Sequence, residues 1–240
     1  MYPNEPSRRA FFRLGYGALG LSGSLHLLPA NAAEGKKTDL TPAQALEKIK
    51  KGHSDFLSDK PSLNSTRDSA RRLEIARGQV PFAVLVGCSD SRVAPELLFN
   101  TGLGELFIVR NAGNTIDTVA LGSIEYAVQV LGVPLILVLG HERCGAVEAA
   151  VSVVEKNTVY PGSIGQMVEP IIPAVLKARA QGGLKGDGLL DAAVRENVRR
   201  TVDRLRTAEP AMIDRIKAGK LLVVGARYDL DDGKVDFFIQ

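Results

Sequence analysis

Four short apolar segments stand out along the chain, at 82–87, 105–110, 135–140 and 220–226. Three are near-continuous runs of valine, leucine and isoleucine, as in Val84-Leu85-Val86, Leu135-Ile136-Leu137-Val138-Leu139 and Leu221-Leu222-Val223-Val224. Runs of strand length without polar alternation predict strands covered on both faces, hence a parallel sheet with helices on each side. Helical spacing fills the gaps, and helices are expected at 117–131, 144–154, about 164–180, 189–206 and 210–218. Near the end, Asp231-Asp232-Gly233 separates 228–230 from 235–238, which predicts a hairpin. The fold class is therefore α/β: a mostly parallel central sheet of four strands plus an antiparallel edge strand, with helices on both faces, in one domain without internal repeats.

Ahead of the first strand, Thr41-Pro42-Ala43-Gln44 combines an N-cap, a proline at the first helical position and a capping-box partner, opening a helix to about residue 58. Leu46, Ile49, His53, Phe56 and Leu57 share one stripe, so His53 reads as a packed or interface histidine rather than a ligand. A loop at 60–66 and a short helix at 68–77 lead into the sheet.

The first 32 residues follow a different pattern. Ser7-Arg8-Arg9 precedes Ala10-Phe11-Phe12, a weakly apolar stretch rich in glycine runs from 14 to 28, and Ala30-Asn31-Ala32 supplies small residues for cleavage. The segment resembles a twin-arginine signal peptide, with cleavage near Ala32. That resemblance implies delivery by the twin-arginine export machinery to the periplasm or beyond, in folded form. The segment is too short and interrupted to persist as a transmembrane helix. The chain thus divides into a signal peptide (1–32), a polar tether (33–39) and a domain (40–240).

Composition narrows the function. With 45% hydrophobic residues, 24 glycines and 12 prolines in 240 residues, the chain is neither disordered nor a coiled coil. A net charge of +3 is too small and too evenly spread to argue for nucleic acid. Two cysteines, Cys88 and Cys144, exclude a disulfide-dense scaffold and a four-cysteine metal knuckle.

The chemistry gathers at two strand ends, Gly87-Cys88-Ser89-Asp90-Ser91-Arg92 and Gly140-His141-Glu142-Arg143-Cys144-Gly145. Open α/β sheets place their sites at the carboxyl ends of strands. Two thiolates and one imidazole suit zinc, and three protein ligands leave a fourth tetrahedral position open. Asp90 is within reach of the same ion, and Arg92 can bond it bidentately. By spacing alone the cysteines could equally be buried small hydrophobes or, in an oxidising compartment, a disulfide.

These two blocks together resemble the beta class of carbonic anhydrases. The similarity continues through Pro95-Glu96, Gly104-Glu105-Leu106-Phe107, Arg110-Asn111-Ala112-Gly113-Asn114, Ser123-Ile124-Glu125-Tyr126-Ala127 and Gly225-Ala226-Arg227-Tyr228-Asp229, covering roughly residues 40–240. The resemblance implies one zinc ion per subunit held by Cys88, His141 and Cys144, and reversible hydration of carbon dioxide to bicarbonate by zinc-bound hydroxide. Asp90 would orient the hydroxide with Arg92 fixing it, or would swing onto the zinc in a closed state. Gln79, Phe107 and Tyr126 match pocket positions of the family, partly across a dimer interface, and Gly145 would present its N–H beside the metal. The family also implies a homodimer or higher oligomer. The Asn111–Asn114 segment is expected to shape the site without catalysing, and Gly102-Leu103-Gly104 is a turn.

One departure bears on regulation. The chain lacks tryptophan, so Leu85 and Gly87 leave the bicarbonate pocket of some bacterial members without its aromatic wall, and the open form is expected. Hydrolysis of carbonyl sulfide or carbon disulfide, and non-catalytic binding of zinc or bicarbonate, are the alternatives on the same fold.

Overall fold

Capping chemistry starts the first described helix where its sequence places it. The structure, a computed structural model, describes residues 36–59, 67–207 and 210–240. The expected signal peptide, residues 33–35 of the tether and the loop at 60–66 lie outside them. In α1 (Pro42–Leu57) the Thr41 hydroxyl accepts from the Gln44 N–H at 3.3 Å while the Gln44 side chain accepts from the Thr41 N–H at 2.9 Å. A cap of this kind stabilises a helix by about 1 kcal/mol.

The chain continues through α2 (Ser69–Ile75), β1 (Ala83–Gly87), α3 (Pro95–Leu98), β2 (Leu106–Arg110), α4 (Thr118–Gln129), β3 (Leu135–His141), α5 (Gly145–Lys156), α6 (Gly162–Val168), α7 (Ile172–Ala180), α8 (Gly186–Thr207), α9 (Pro210–Lys217), β4 (Leu222–Tyr228) and β5 (Val235–Ile239). The strands form one sheet in the order β2-β1-β3-β4-β5. The first four are parallel and β5 runs antiparallel to β4.

Alternation along the strands divides the core into two layers. Val84, Val86, Ile136, Val138 and Val223 pack with Ile124 and Val128 of α4, Val202 of α8 and Met212 of α9. Leu85, Leu137, Leu139 and Val224 face the other way, toward Leu46 and Ile49 of α1 and Leu98 of α3. Every residue of β1 and β3 is buried, as continuous apolar runs require, whereas β2 at the sheet edge is half-buried throughout. Gly52 lets α1 approach the end of α3, since a Cβ there would stand 1.9 Å from the Phe99 carbonyl oxygen.

Three departures from the expected elements have local causes. The helix expected at 164–180 is split into α6 and α7 by a 3-10 turn, Glu169–Ile171. Pro170 has no N–H to continue the ladder there. Four residues make α3 too short for any periodicity to reveal. Finally, β3 and β4 run further than their apolar runs, to a pair between His141 and Tyr228. This carries a polar residue of the site into the sheet itself.

His53 is buried at 6% exposure, and α1 turns it to the chain's other end. Its Nδ1 lies 3.2 Å from the Leu98 carbonyl and its Nε2 accepts from the Val235 N–H at 3.0 Å. The ring is thus a neutral Nδ1–H tautomer, and burial pushes its pKa below the ordinary 6.5. The unfolded chain binds the proton more readily, so stability is fullest above about pH 6.5 and falls as acid drives the pH through the lowered folded-state value. Replacement His53→Asn is expected to lower stability at neutral pH and flatten its decline on acidification below about pH 6.5, measured by urea unfolding at several pH values. An unchanged slope would show that His53 protonates without cost.

Candidate metal centre

From β1 the chain passes to β2 on one side of the sheet, while β3 lies on the other side of β1. Such a reversal opens a crevice at the strands' carboxyl ends. Parallel pairing of Gly87 with Leu139 puts Cys88 and the His141–Cys144 turn into that crevice together. The two sulfurs are 3.9 Å apart, and Cys88, His141 and Cys144 each place a ligand atom within 4.8 Å of the others.

All three residues are buried, at 5%, 1% and 1% exposure. His141 Nδ1 donates to the Glu142 carbonyl at 2.9 Å, which leaves the Nε2 lone pair turned inward. That Nε2 is buried without a hydrogen-bond partner, a costly condition for a polar atom unless a cation uses it. Two sulfurs and an imidazole nitrogen form a soft, zinc-preferring donor set, so the residues fit the metal that the sequence implies.

The sulfurs share charge unequally. Cys88 is pulled down, first by the hydrogen bond from Cys144 and with smaller help from the Gly113 N–H, against the opposing effect of burial. Cys144 is pushed upward by the same bond and then by burial. A dication arriving at this set displaces the remaining proton.

Beside the donors, Asp90 and Arg92 form a clamp. Arg92 Nε and Nη2 donate to the two carboxylate oxygens at 3.0 and 2.8 Å, and the Arg92 N–H adds a third bond at 2.9 Å. These bonds, the Arg92 side chain's foremost, hold the Asp90 carboxyl well below the usual carboxylate range although burial opposes them. Asp90 Oδ2 is 3.8 Å from His141 Nε2, so the carboxylate faces the donor set while resting on the arginine. The same arginine reaches the Arg143 carbonyl at 3.3 Å, which links the two polar turns.

Several supporting residues had no assigned role in the sequence. Arg110, paired in register with Gly87, donates to the carbonyls of Cys88 and Asp90, both at 2.7 Å. Arg143 adopts a left-handed backbone (φ 48°) between His141 and Cys144, and its guanidinium grips Asp231 at 2.9 and 2.6 Å. Glu142 accepts from the Leu230 N–H at 3.1 Å. The hairpin before β5 therefore braces the metal-binding turn. Glu142, Asp229 and Asp231 also converge, but Arg143 and Arg227 pair with them.

The expected pocket residues divide. Gly145 opens α5 next to Cys144, with open space where its side chain would be. Gln79 precedes the amino end of β1 whereas Cys88 follows its carboxyl end, so about 16 Å of strand separates them. It borders a cleft of about 640 Å³ with Lys48, Arg71 and Phe82. Phe107 pairs in register with Val84, low on the sheet, and its ring lies 6.5 Å from that of the exposed Tyr126. Within one protomer, these three do not join the sulfurs.

Comparison with known proteins gives a consistent result. The family model described as carbonic anhydrase matches residues 83–235. Carbonic anhydrase 2 of Mycobacterium tuberculosis is 42% identical over 193 residues, covering 80% of this chain and 91% of that protein. The carbonic anhydrase of Mycolicibacterium smegmatis is 41% identical over 195 residues, covering 81% and 92%. Among solved structures, the beta-carbonic anhydrase of Coccomyxa in complex with acetazolamide superposes with a TM-score of 0.65 at 31% identity, covering 81% of this chain and 85% of that one.

The donor set makes a direct prediction about metal content. The purified chain is expected to hold one zinc ion, and Cys144→Ser or His141→Ala to retain almost none after dialysis, read by atomic emission. Full retention in both variants would dismiss the centre.

Proposed function

The chain belongs to the beta class of the carbonic anhydrases, and from that premise we propose that it interconverts carbon dioxide and bicarbonate. The observation that carries this reading is the convergence of two sulfurs and an unpartnered imidazole nitrogen beside a carboxylate clamped by arginine. Zinc held by Cys88, His141 and Cys144 would lower the pKa of a water in its fourth position from about 15.7 to about 7, supplying hydroxide near neutrality.

The protein's own residues direct the rest. Asp90, kept ionised by Arg92, accepts a hydrogen bond from the attacking hydroxyl and turns its lone pair toward the substrate carbon. Arg92 holds the carboxylate off the donor atoms, so that it orients the nucleophile and does not replace it. The Gly145 N–H would meet an oxygen of the product as it gathers charge, and open space where a side chain would be leaves the approach clear. Carbon dioxide is linear and without a net dipole, so apolar walls suffice for the remainder.

Those walls point to a second copy of the chain. Phe107 and Tyr126 lie along the half-buried edge strand β2 and α4, where Val119 and Val130 are also exposed. A homodimer formed over this edge, extended to higher oligomers or not, would cover that surface and complete the substrate pocket with Gln79, Phe107 and Tyr126.

Replacing Asp90 with asparagine keeps its size but removes its charge. Asp90→Asn is expected to lower kcat/KM for carbon dioxide hydration about a hundredfold with zinc content unchanged, measured by stopped flow. Zinc-loaded wild-type protein without hydration activity at mildly alkaline pH would overturn the proposal.

Delivery outside the cytoplasm is supported by Arg8-Arg9 and the small-residue motif ending at Ala32. No helix among the described residues is long and apolar enough to cross a membrane. Replacing Arg8 and Arg9 by lysine is expected to trap uncleaved precursor in the cytoplasmic fraction, and unchanged export would refute the twin-arginine assignment.

A further inference from the structure

Asn197 lies on the buried side of α8, more than fifty residues beyond Cys144 and outside every sequence motif quoted above. It is 5% exposed. Its Nδ2 donates to the Gly113 carbonyl at 2.8 Å, and the Gly113 N–H donates to the Cys88 sulfur at 3.2 Å. Both bonds are buried.

Gly113 has a left-handed backbone (φ 68°) in the 3-10 turn Ala112–Asn114. A Cβ there would stand 2.6 Å from Ile171 Cδ1 and 3.1 Å from the Ala146 Cβ, so φ favours glycine and the crowding adds to that preference. Glycine also leaves the turn free to move, because it confines its own dihedrals least of all residues. One peptide plane beside Gly113 carries the N–H that meets the sulfur. Asn197 pins the carbonyl of the next plane, which removes that freedom.

A hydrogen bond at this sulfur has a chemical consequence. Two thiolates pass more negative charge to a dication than imidazoles do, which weakens its action on a bound water. An N–H directed at one thiolate draws part of that charge back, and such supporting bonds tune a metal as well as orient its ligands. We propose that Asn197 is a positioning residue of the metal centre: by fixing Gly113 it aims an amide at Cys88 and sets how much charge that sulfur donates. This rests on Cys88 being a metal ligand.

The test uses the chain loaded with cobalt(II) in place of zinc, whose sulfur-to-metal charge-transfer absorption reports the electron density on the thiolates. Asn197→Leu removes the donor at similar volume. Its band is expected at longer wavelength than in wild type, with kcat/KM of the zinc form about tenfold lower. Asn197→Gln, which keeps an amide donor, should return the band toward its wild-type position. A band present in wild type and unmoved in Asn197→Leu overturns the relay alone. A wild-type chain without any such band overturns the ligand assignment and the relay with it.

If Asn197→Leu does not fold, amide exchange in wild type decides instead. A Gly113 N–H that exchanges slowly supports the bond to sulfur, and one that exchanges as fast as an open turn overturns it.

Discussion

Parallel pairing of β1 with β3 is the constraint on which the rest of the molecule depends. Cys88 and Cys144 are far apart in sequence, and only adjacent strands ending at the same level bring their sulfurs to 3.9 Å. That level is set by side chains wholly buried on both faces of the two strands. A slip of one residue would exchange the two core layers and turn every apolar side chain to the wrong face. The hydrophobic core therefore fixes the metal centre's geometry.

The polar shell follows from the same placement. Donors buried to this degree need something to balance their charge, since an unpaired thiolate in an apolar interior is costly. The surroundings provide it from the backbone and from the crevice rim: the Gly113 N–H at one sulfur, the start of α5 at the other, and the exposed guanidinium of Arg92 on Asp90. Arg92 is half exposed, so its ion pair alone stabilises the fold little. Its value lies in direction, because three hydrogen bonds leave the carboxylate one orientation.

Much of this was readable in the sequence because it depends on local chemistry. Continuous Val, Leu and Ile runs revealed the parallel strands, and Thr41 with Gln44 marked where α1 begins. The metal donors were visible because their residue types are rare here and sit at strand ends. Other features needed the third dimension. Arg110 reads only as the polar end of a strand until register sets it beside Gly87, after which its two bonds to the Cys88–Asp90 turn follow. Asp231 reads as part of a hairpin turn, and its grip on Arg143 depends on β4 carrying that hairpin back to the metal-binding turn. The helix expected at 164–180 took no account of Pro170, and it divides there.

Asn197 shows why such residues escape a linear reading. A polar residue on a long amphipathic helix is easily read as part of its solvated face, although Ala193 and Val194 one turn before and Thr201 one turn after set Asn197 on the buried stripe. What distinguishes it is that α8 packs against both β3 and β4 while also covering the helices around the sulfurs, so that its apolar face must pass the end of the sheet. At that point the chain beneath is not a strand but a glycine turn whose buried carbonyl accepts from Asn197. A hydrophobic residue there would bury that carbonyl without a partner, at a cost of about 1–3 kcal/mol. The helix therefore carries an amide where packing alone would favour an aliphatic side chain, and the need to satisfy one backbone oxygen couples the outer helical layer to the ligand sphere of the metal.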